Sequence, residues 1–274
     1  GRLRVSATRG SFADYLIFTN THLTGSGGAI WFNSTGNFDG RVHTNGEFRF
    51  AYQPTFHDLA SSVNGKAWYY NNGTNVELNA DRNGTTDVPN FYGGFHRSEP
   101  TISLPTNSFS QERAALGGNP ADTSQPTNTE INTALGTNLT NPSGPVPNGV
   151  FLPNSGGCLT GGIYTVGDCN LMKMSVDGSH NQVFQIKDAS NNTTTITVNE
   201  GSQTTTVVAP NGTSTTYNGV PRGCTYVKGK VNDLRGPDRD SGGAIVPAIA
   251  RDHQMSIVAT GDVIIQRDIA YEDY

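Results

Sequence analysis

The stretch Ile163-Tyr164-Thr165-Val166-Gly167-Asp168-Cys169-Asn170-Leu171 carries the pattern from which the fold is read. An apolar residue stands four positions before a glycine, a polar residue follows the glycine, and apolar residues then resume. Val42-His43-Thr44-Asn45-Gly46-Glu47-Phe48-Arg49-Phe50 repeats it, as does Ile257-Val258-Ala259-Thr260-Gly261-Asp262-Val263-Ile264-Ile265. Phe32 to Phe38 around Gly36 is a shorter copy, and Thr225 to Leu234 around Gly229 fits with Tyr226 as its large residue. Each copy reads as a strand that ends, a corner where glycine takes φ > 0, and a new strand with its apolar face turned the same way. Stacked corners of this kind wind a chain around a central core. The expected fold is therefore mainly β: a β-solenoid, parallel β-helix-like and right-handed. It is expected to form one elongated domain over residues 1–274, with insertions because the copies are irregularly spaced.

Two intervals break the pattern. Residues 98–150 are dense in Pro, Asn and Gly and read as a surface loop with one or two short helices, over Ser108–Leu116 and Thr129–Leu135. Residues 176–220 hold Val183-Phe184-Gln185-Ile186, two threonine-rich runs and Thr213-Ser214-Thr215-Thr216-Tyr217. Asp177-Gly178, Asn191-Asn192, Glu200-Gly201 and Asn211-Gly212 separate them. These are turn dipeptides or close to them, so an antiparallel β-meander is expected, with Thr on the wet face.

Composition narrows the function. Charged residues are 15% of the chain, with a net charge of −5, against roughly 25% charged in an average soluble protein. This excludes a coiled coil and a module that binds nucleic acid through net charge. Residues 114–221 contain only Lys173 and Lys187 as cations. No run of 18 apolar residues occurs, and Gly1 to Val5 shows no signal peptide, as in a mature ectodomain. The cysteines Cys158, Cys169 and Cys224 suit an exported protein, with Cys158–Cys169 the favoured disulfide. No Cys-x-x-Cys pair points to a structural zinc site.

Catalytic signals are weak. The six histidines follow no metal-ligand spacing, and Ser241-Gly242-Gly243 stands without a supporting triad. Asp39, Glu47, Asp168, Asp233, Asp238, Asp240 and Asp262 are the acids a polysaccharide-cleaving solenoid would use. The corner acids Glu47, Asp168 and Asp262 recur at equivalent places in three of the copies, which points to turn building. Asp233, Asp238 and Asp240 offer hard oxygens for calcium, but Arg235 and Arg239 compete for them. Neither a cofactor nor a metal is expected. Phosphate contact would have to come from a local patch: Arg41, Arg49, Lys228, Lys230, Arg235 and Arg239, with Tyr226 or Tyr52 as a stacking surface. Lys228 and Lys230 would share one strand face. Trp31, Trp68, Tyr69 and Tyr70 are the alternative platform, for glycans.

Several stretches resemble a known family. Trp31-Phe32, Phe38-Asp39-Gly40-Arg41-Val42-His43-Thr44-Asn45-Gly46 and Gln53-Pro54-Thr55-Phe56-His57 are similar to the opening of an uncharacterised exported domain of bacterial pilin-like proteins. Gly162 to Asp168, Gly219-Val220-Pro221, Thr225 to Gly229 and His253 to Ile265 resemble its later turns and final coil. Within that family the chain looks most like the soluble part of competence-associated minor pilins that carry a large β-solenoid. The resemblance implies a type IV pilus accessory module in the periplasm or at the cell surface. It also implies DNA and other pilins as partners, and a role in DNA uptake during natural transformation. It implies a hydrophobic N-terminal pilin helix too, which these residues do not contain and which would be the only membrane contact. A pilus-tip adhesin or scaffold without nucleic-acid binding is the alternative, and a polysaccharide-cleaving β-helix enzyme the remote one.

Overall fold

The computed structural model describes residues 14–24, 26–104, 107–222 and 224–272; the Gly1–Val5 segment lies outside them. The chain is mainly β, with several open sheets, and the described residues hold two helices. It divides into two compact units, residues 1–105 and 106–274.

The first unit is made of very short strands in parallel ladders. Ile17–Thr19, Val42–Thr44, Ala60–Ser62 and Phe95–His96 form one sheet, with Ile17, Val42, Ala60 and Phe95 at one level. Asn37–Phe38, Thr55–Phe56 and Asn90–Phe91 form a second, which puts Phe38, Phe56 and Phe91 in line. Their rings stack at 5.0 and 5.3 Å. Arg49–Phe50 pairs parallel with Ala67–Tyr69, and Val76–Leu78 closes that sheet antiparallel. Ala29 and Phe32 make isolated bridges, with Leu23 and Phe50 respectively. Phe32, Phe48, Phe50, Phe56, Tyr69 and Phe95 fill the core between the sheets. Parallel pairing sets Phe56 between Phe38 and Phe91, and Phe50 beside Tyr69, so aromatic contacts recur from rung to rung at these two levels.

In the second unit the glycine-anchored copies lie level. Ile163–Val166, Cys224–Lys228 and Ser256–Ala259 form a parallel ladder that aligns Tyr164, Tyr226 and Val258. Past the corner, Cys169–Val176, Val231–Arg235 and Val263–Ile265 form another, aligning Cys169, Val231 and Val263. Glycine is needed at Gly167 and at Gly229 for two different reasons. Gly167 has φ +86°, as expected. Gly36, Gly46, Gly229 and Gly261 do not have positive φ, which corrects the expectation for them. At Gly229 the reason is close approach, because a Cβ there would lie 2.5 Å from the Gly167 carbonyl oxygen.

The meander forms as expected from Cys169–Val176, Gln182–Asp188, Thr193–Asn199, Thr204–Val208 and Ser214–Asn218. Its first strand also pairs parallel with Val231–Arg235, so the meander extends the ladder sideways. Its last strand meets Cys158–Leu159. Phe184, Ile186, Ile196 and Val198 point into the core with Met172 and Met174. Helices α1 (Phe109–Ala115) and α2 (Asn128–Leu135) occupy the loop interval. A capping box between Thr127 and Glu130 starts α2. Ala115, Leu116 and Ile131 cover Tyr164 and Tyr226, so the Ile163–Val166 strand is buried on both faces.

The Cys158–Cys169 disulfide does not form; all three cysteines are free thiols. Cys158 is exposed and Cys169 buried. In the sheet order four strands stand between the strands that carry them, and a disulfide tolerates at most about 7 Å between Cα atoms.

Candidate functional site

The expected phosphate-contacting residues divide between the two units. Arg41 and Arg49 belong to the first unit and the rest to the second. Arg41 lies over the Tyr15 ring, 5.6 Å from its centre. Arg49 pairs with Glu47 at 2.7 Å. Lys228 lies 3.6 Å from the Glu112 carboxylate, and Lys230 lies 3.9 Å from Asp262. Arg235 is bound by Asp233. Arg239 reaches Asp268 at 2.9 Å in place of Asp238 or Asp240, and Asp238 faces Arg267. Lys228 closes one strand and Lys230 lies past the corner, so the shared strand face expected for them does not exist. Tyr226 is fully buried and stacks on Tyr164 at 5.4 Å. It therefore offers no face to a base, which corrects its assignment as a stacking surface.

The acids are likewise engaged. Asp168 accepts the backbone N–H of Lys230 at 2.9 Å, which ties one corner to the next. Asp240 accepts from the N–H groups of Gly242 and Ala244. Among the described residues no three His, Cys, Asp or Glu side chains come together as a metal set. Glu112 on α1 is 2% exposed. It accepts the Tyr164 hydroxyl at 2.6 Å and the Tyr226 hydroxyl at 3.3 Å. Burial, with Glu112 beside it, pushes the Tyr164 phenol up; burial also raises Tyr226, to about 12. This buried cluster clamps α1 to the sheet.

An open cleft of about 430 Å³ in the first unit has a different character. Trp31, Asn33, Tyr52, Tyr70 and Asn75 are among its lining residues, and no charged side chain is. The ladder builds it. Ala51 N–H donates to Phe32 O at 2.8 Å, and Tyr70 N–H donates to Phe50 O at 2.9 Å. Neighbouring rungs thus bring Trp31, Ala51 and Tyr70 side by side, while Phe32, Phe50 and Tyr69 point into the core. Tyr52 adds a ring 5.6 Å from Tyr70, and Trp31 lies 6.5 Å from Tyr70. Tyr52 is 49% exposed, and its φ is +62°. That conformation costs a non-glycine residue on the order of 1 kcal/mol. Its backbone N–H is held at 2.7 Å by Asp87, a fully buried carboxylate. The platform expected from Trp31, Trp68, Tyr69 and Tyr70 is corrected accordingly. Tyr69 is core, Trp68 does not line the cleft, and Tyr52 takes their place. Nothing local in the sequence links Tyr52 to Trp31; the only signal is that each lies within two residues of a phenylalanine of the repeat.

The family model described as Domain of unknown function (DUF4900) matches residues 1–64. No curated protein and no solved structure matches the chain.

Proposed function

We propose that the chain is a non-enzymatic, extracytoplasmic surface module, a pilus-associated adhesin or scaffold, that makes contact through the Trp31–Tyr52–Tyr70 cleft. Its units are read as β-solenoid coils, right-handed and interrupted by the helical pair and the meander. Three-deep parallel registers across the Gly167, Gly229 and Gly261 corners support that reading. The observation that carries the function is the cleft itself: one exposed and two half-buried aromatic rings with exposed amides, free of charge, and Tyr52 held in an unfavourable backbone conformation.

DNA capture, which the family resemblance implies, ranks second. Its cations are paired with acids or laid over a tyrosine, and its stacking tyrosine is buried. A titration of single- and double-stranded DNA at about 50 and 200 mM salt separates the two. The adhesin reading expects no binding, or binding with a shallow slope of log affinity against log salt. A slope of several units means that several phosphates are contacted, and would restore the DNA reading. Adhesion of bead-coupled protein to bacterial and host surfaces tests the first reading directly, and its complete absence would remove it.

A further inference from the structure

We infer that the cleft is a carbohydrate subsite that seats the ring of a neutral pyranose against Trp31, Tyr52 and Tyr70; this deepens the adhesin reading and rests on it. Three observations point to that ligand class. First, the lining has aromatic faces but neither cation nor carboxylate. A phosphate, sialic or uronic acid would find no counter-charge there. The C–H groups on one face of a pyranose, slightly positive, match the negative face of an aromatic ring. Second, the polar groups at the rim are neutral amides. Asn33 and Asn75 are exposed; the Asn33 Oδ1 accepts from Thr35 N–H and Oγ1–H, which leaves its Nδ2 to donate to a sugar hydroxyl, while the Asn75 amide can donate and accept. Third, the rings are tilted against one another, by 56° for Tyr52 and Tyr70 and by 84° for Trp31 and Tyr70. They form the walls of a short cleft and not a flat platform. A polyproline segment, the other ligand of aromatic grooves, needs a groove that continues for several residues. Here the turn at Asn72 and Gly73, with φ of +46° and +97°, lies at the border of the cleft.

Asp87 is the positioning residue of this site. It does not line the cleft, but it fixes the strained Tyr52 backbone from below. A ring held in place before binding loses little freedom on binding. Asp87→Asn keeps the shape and weakens the hold on the Tyr52 N–H.

The test uses the full chain on an array of neutral, acidic and sulfated glycans and proline-rich peptides, followed by titration of the best ligand monitored by tryptophan fluorescence. Tyr52→Ala and Tyr52→Gly are compared with the parent, each with its thermal midpoint. The glycine variant removes the ring while relieving the positive φ, so loss of binding in it cannot be laid to backbone strain. The expected result is saturable binding to a neutral glycan, at least tenfold weaker in both Tyr52 variants, with quenching of Trp31. Asp87→Asn is expected to weaken binding with unchanged ligand preference. Glycan binding that survives Tyr52→Gly would overturn the proposal. So would a preference for acidic glycans or for proline-rich peptides. Failure to bind any neutral glycan, with surface adhesion still lost in Tyr52→Gly, overturns the ligand class but leaves the adhesin reading in place. Failure of both binding and adhesion overturns both.

Discussion

Gly229 lies directly against Gly167: a Cβ on Gly229 would come within 2.5 Å of the Gly167 oxygen and 2.8 Å of Asp168 N. Both are backbone atoms, held by the hydrogen bond from Gly167 N–H to Lys228 O at 3.1 Å, so neither can move aside cheaply. Gly229→Ala is expected to cost about 2 kcal/mol of stability in the second unit, seen as a lower denaturant midpoint. Gly46→Ala is the contrast. The nearest atom there is Thr44 Oγ1 at 3.4 Å, and a change under about 0.5 kcal/mol is expected. Equal effects of the two substitutions would refute the stacked-corner account.

Glu112 joins α1 to two stacked tyrosines. Glu112→Ala leaves the Tyr164 hydroxyl buried without its acceptor and Lys228 without its nearest acid. The expected loss is about 3 kcal/mol, and less for Glu112→Gln, which keeps an acceptor. Chemical denaturation of the variants, followed by tyrosine fluorescence and near-ultraviolet circular dichroism, measures this. A neutral Glu112→Ala would mean that the helix is held by apolar contacts alone.

Acid should loosen the first unit. His22 is buried against Phe32 and Phe48, with ring centres 4.7 and 5.6 Å away. Burial, aided by the nearby Arg49 charge, lowers its pKa to about 4. The unfolded chain takes up the proton near pH 6.5, while the folded chain resists until about pH 4. Stability is therefore unaffected by this group above about pH 7 and is lost as pH falls between those values, by up to about 3 kcal/mol. His43, also lowered by burial, acts in the same direction. Thermal midpoints from pH 7.5 to 4.5 should fall, and should fall less in His22→Phe. An identical slope in that variant would rule out His22 as the cause.

The thiols should separate by burial. Cys158 is exposed. Burial pushes Cys169 up to about 12 and Cys224 to about 11, so neither forms the reactive thiolate at neutral pH. A thiol reagent at pH 8 should label one cysteine in the native protein and three after unfolding. Native protein with no titratable Cys158, and a mass two hydrogens short, would show a disulfide instead.

Much of the fold was legible because its signals are local. A glycine four positions after an apolar residue marked the rungs, and the register places Ile163, Thr225 and Ile257 at one level. The turn dipeptides bounded the meander strands. Both helices fell in the interval expected for them. Turn chemistry, helix caps and alternation all act within a few residues, so one dimension suffices to read them. What the sequence alone could not reveal depends on what covers each face. Alternation shows that Tyr226 and Val227 point opposite ways, but not that α1 buries the tyrosine face as well. For the same reason, the assignment of Tyr226 as a stacking surface failed. Arg239 finds Asp268, and Tyr52 joins Trp31 and Tyr70, through neighbours set by the stacking of rungs. Parallel pairing brings together residues far apart in sequence, and the tilt and close approach of those rungs exist only once the core has packed.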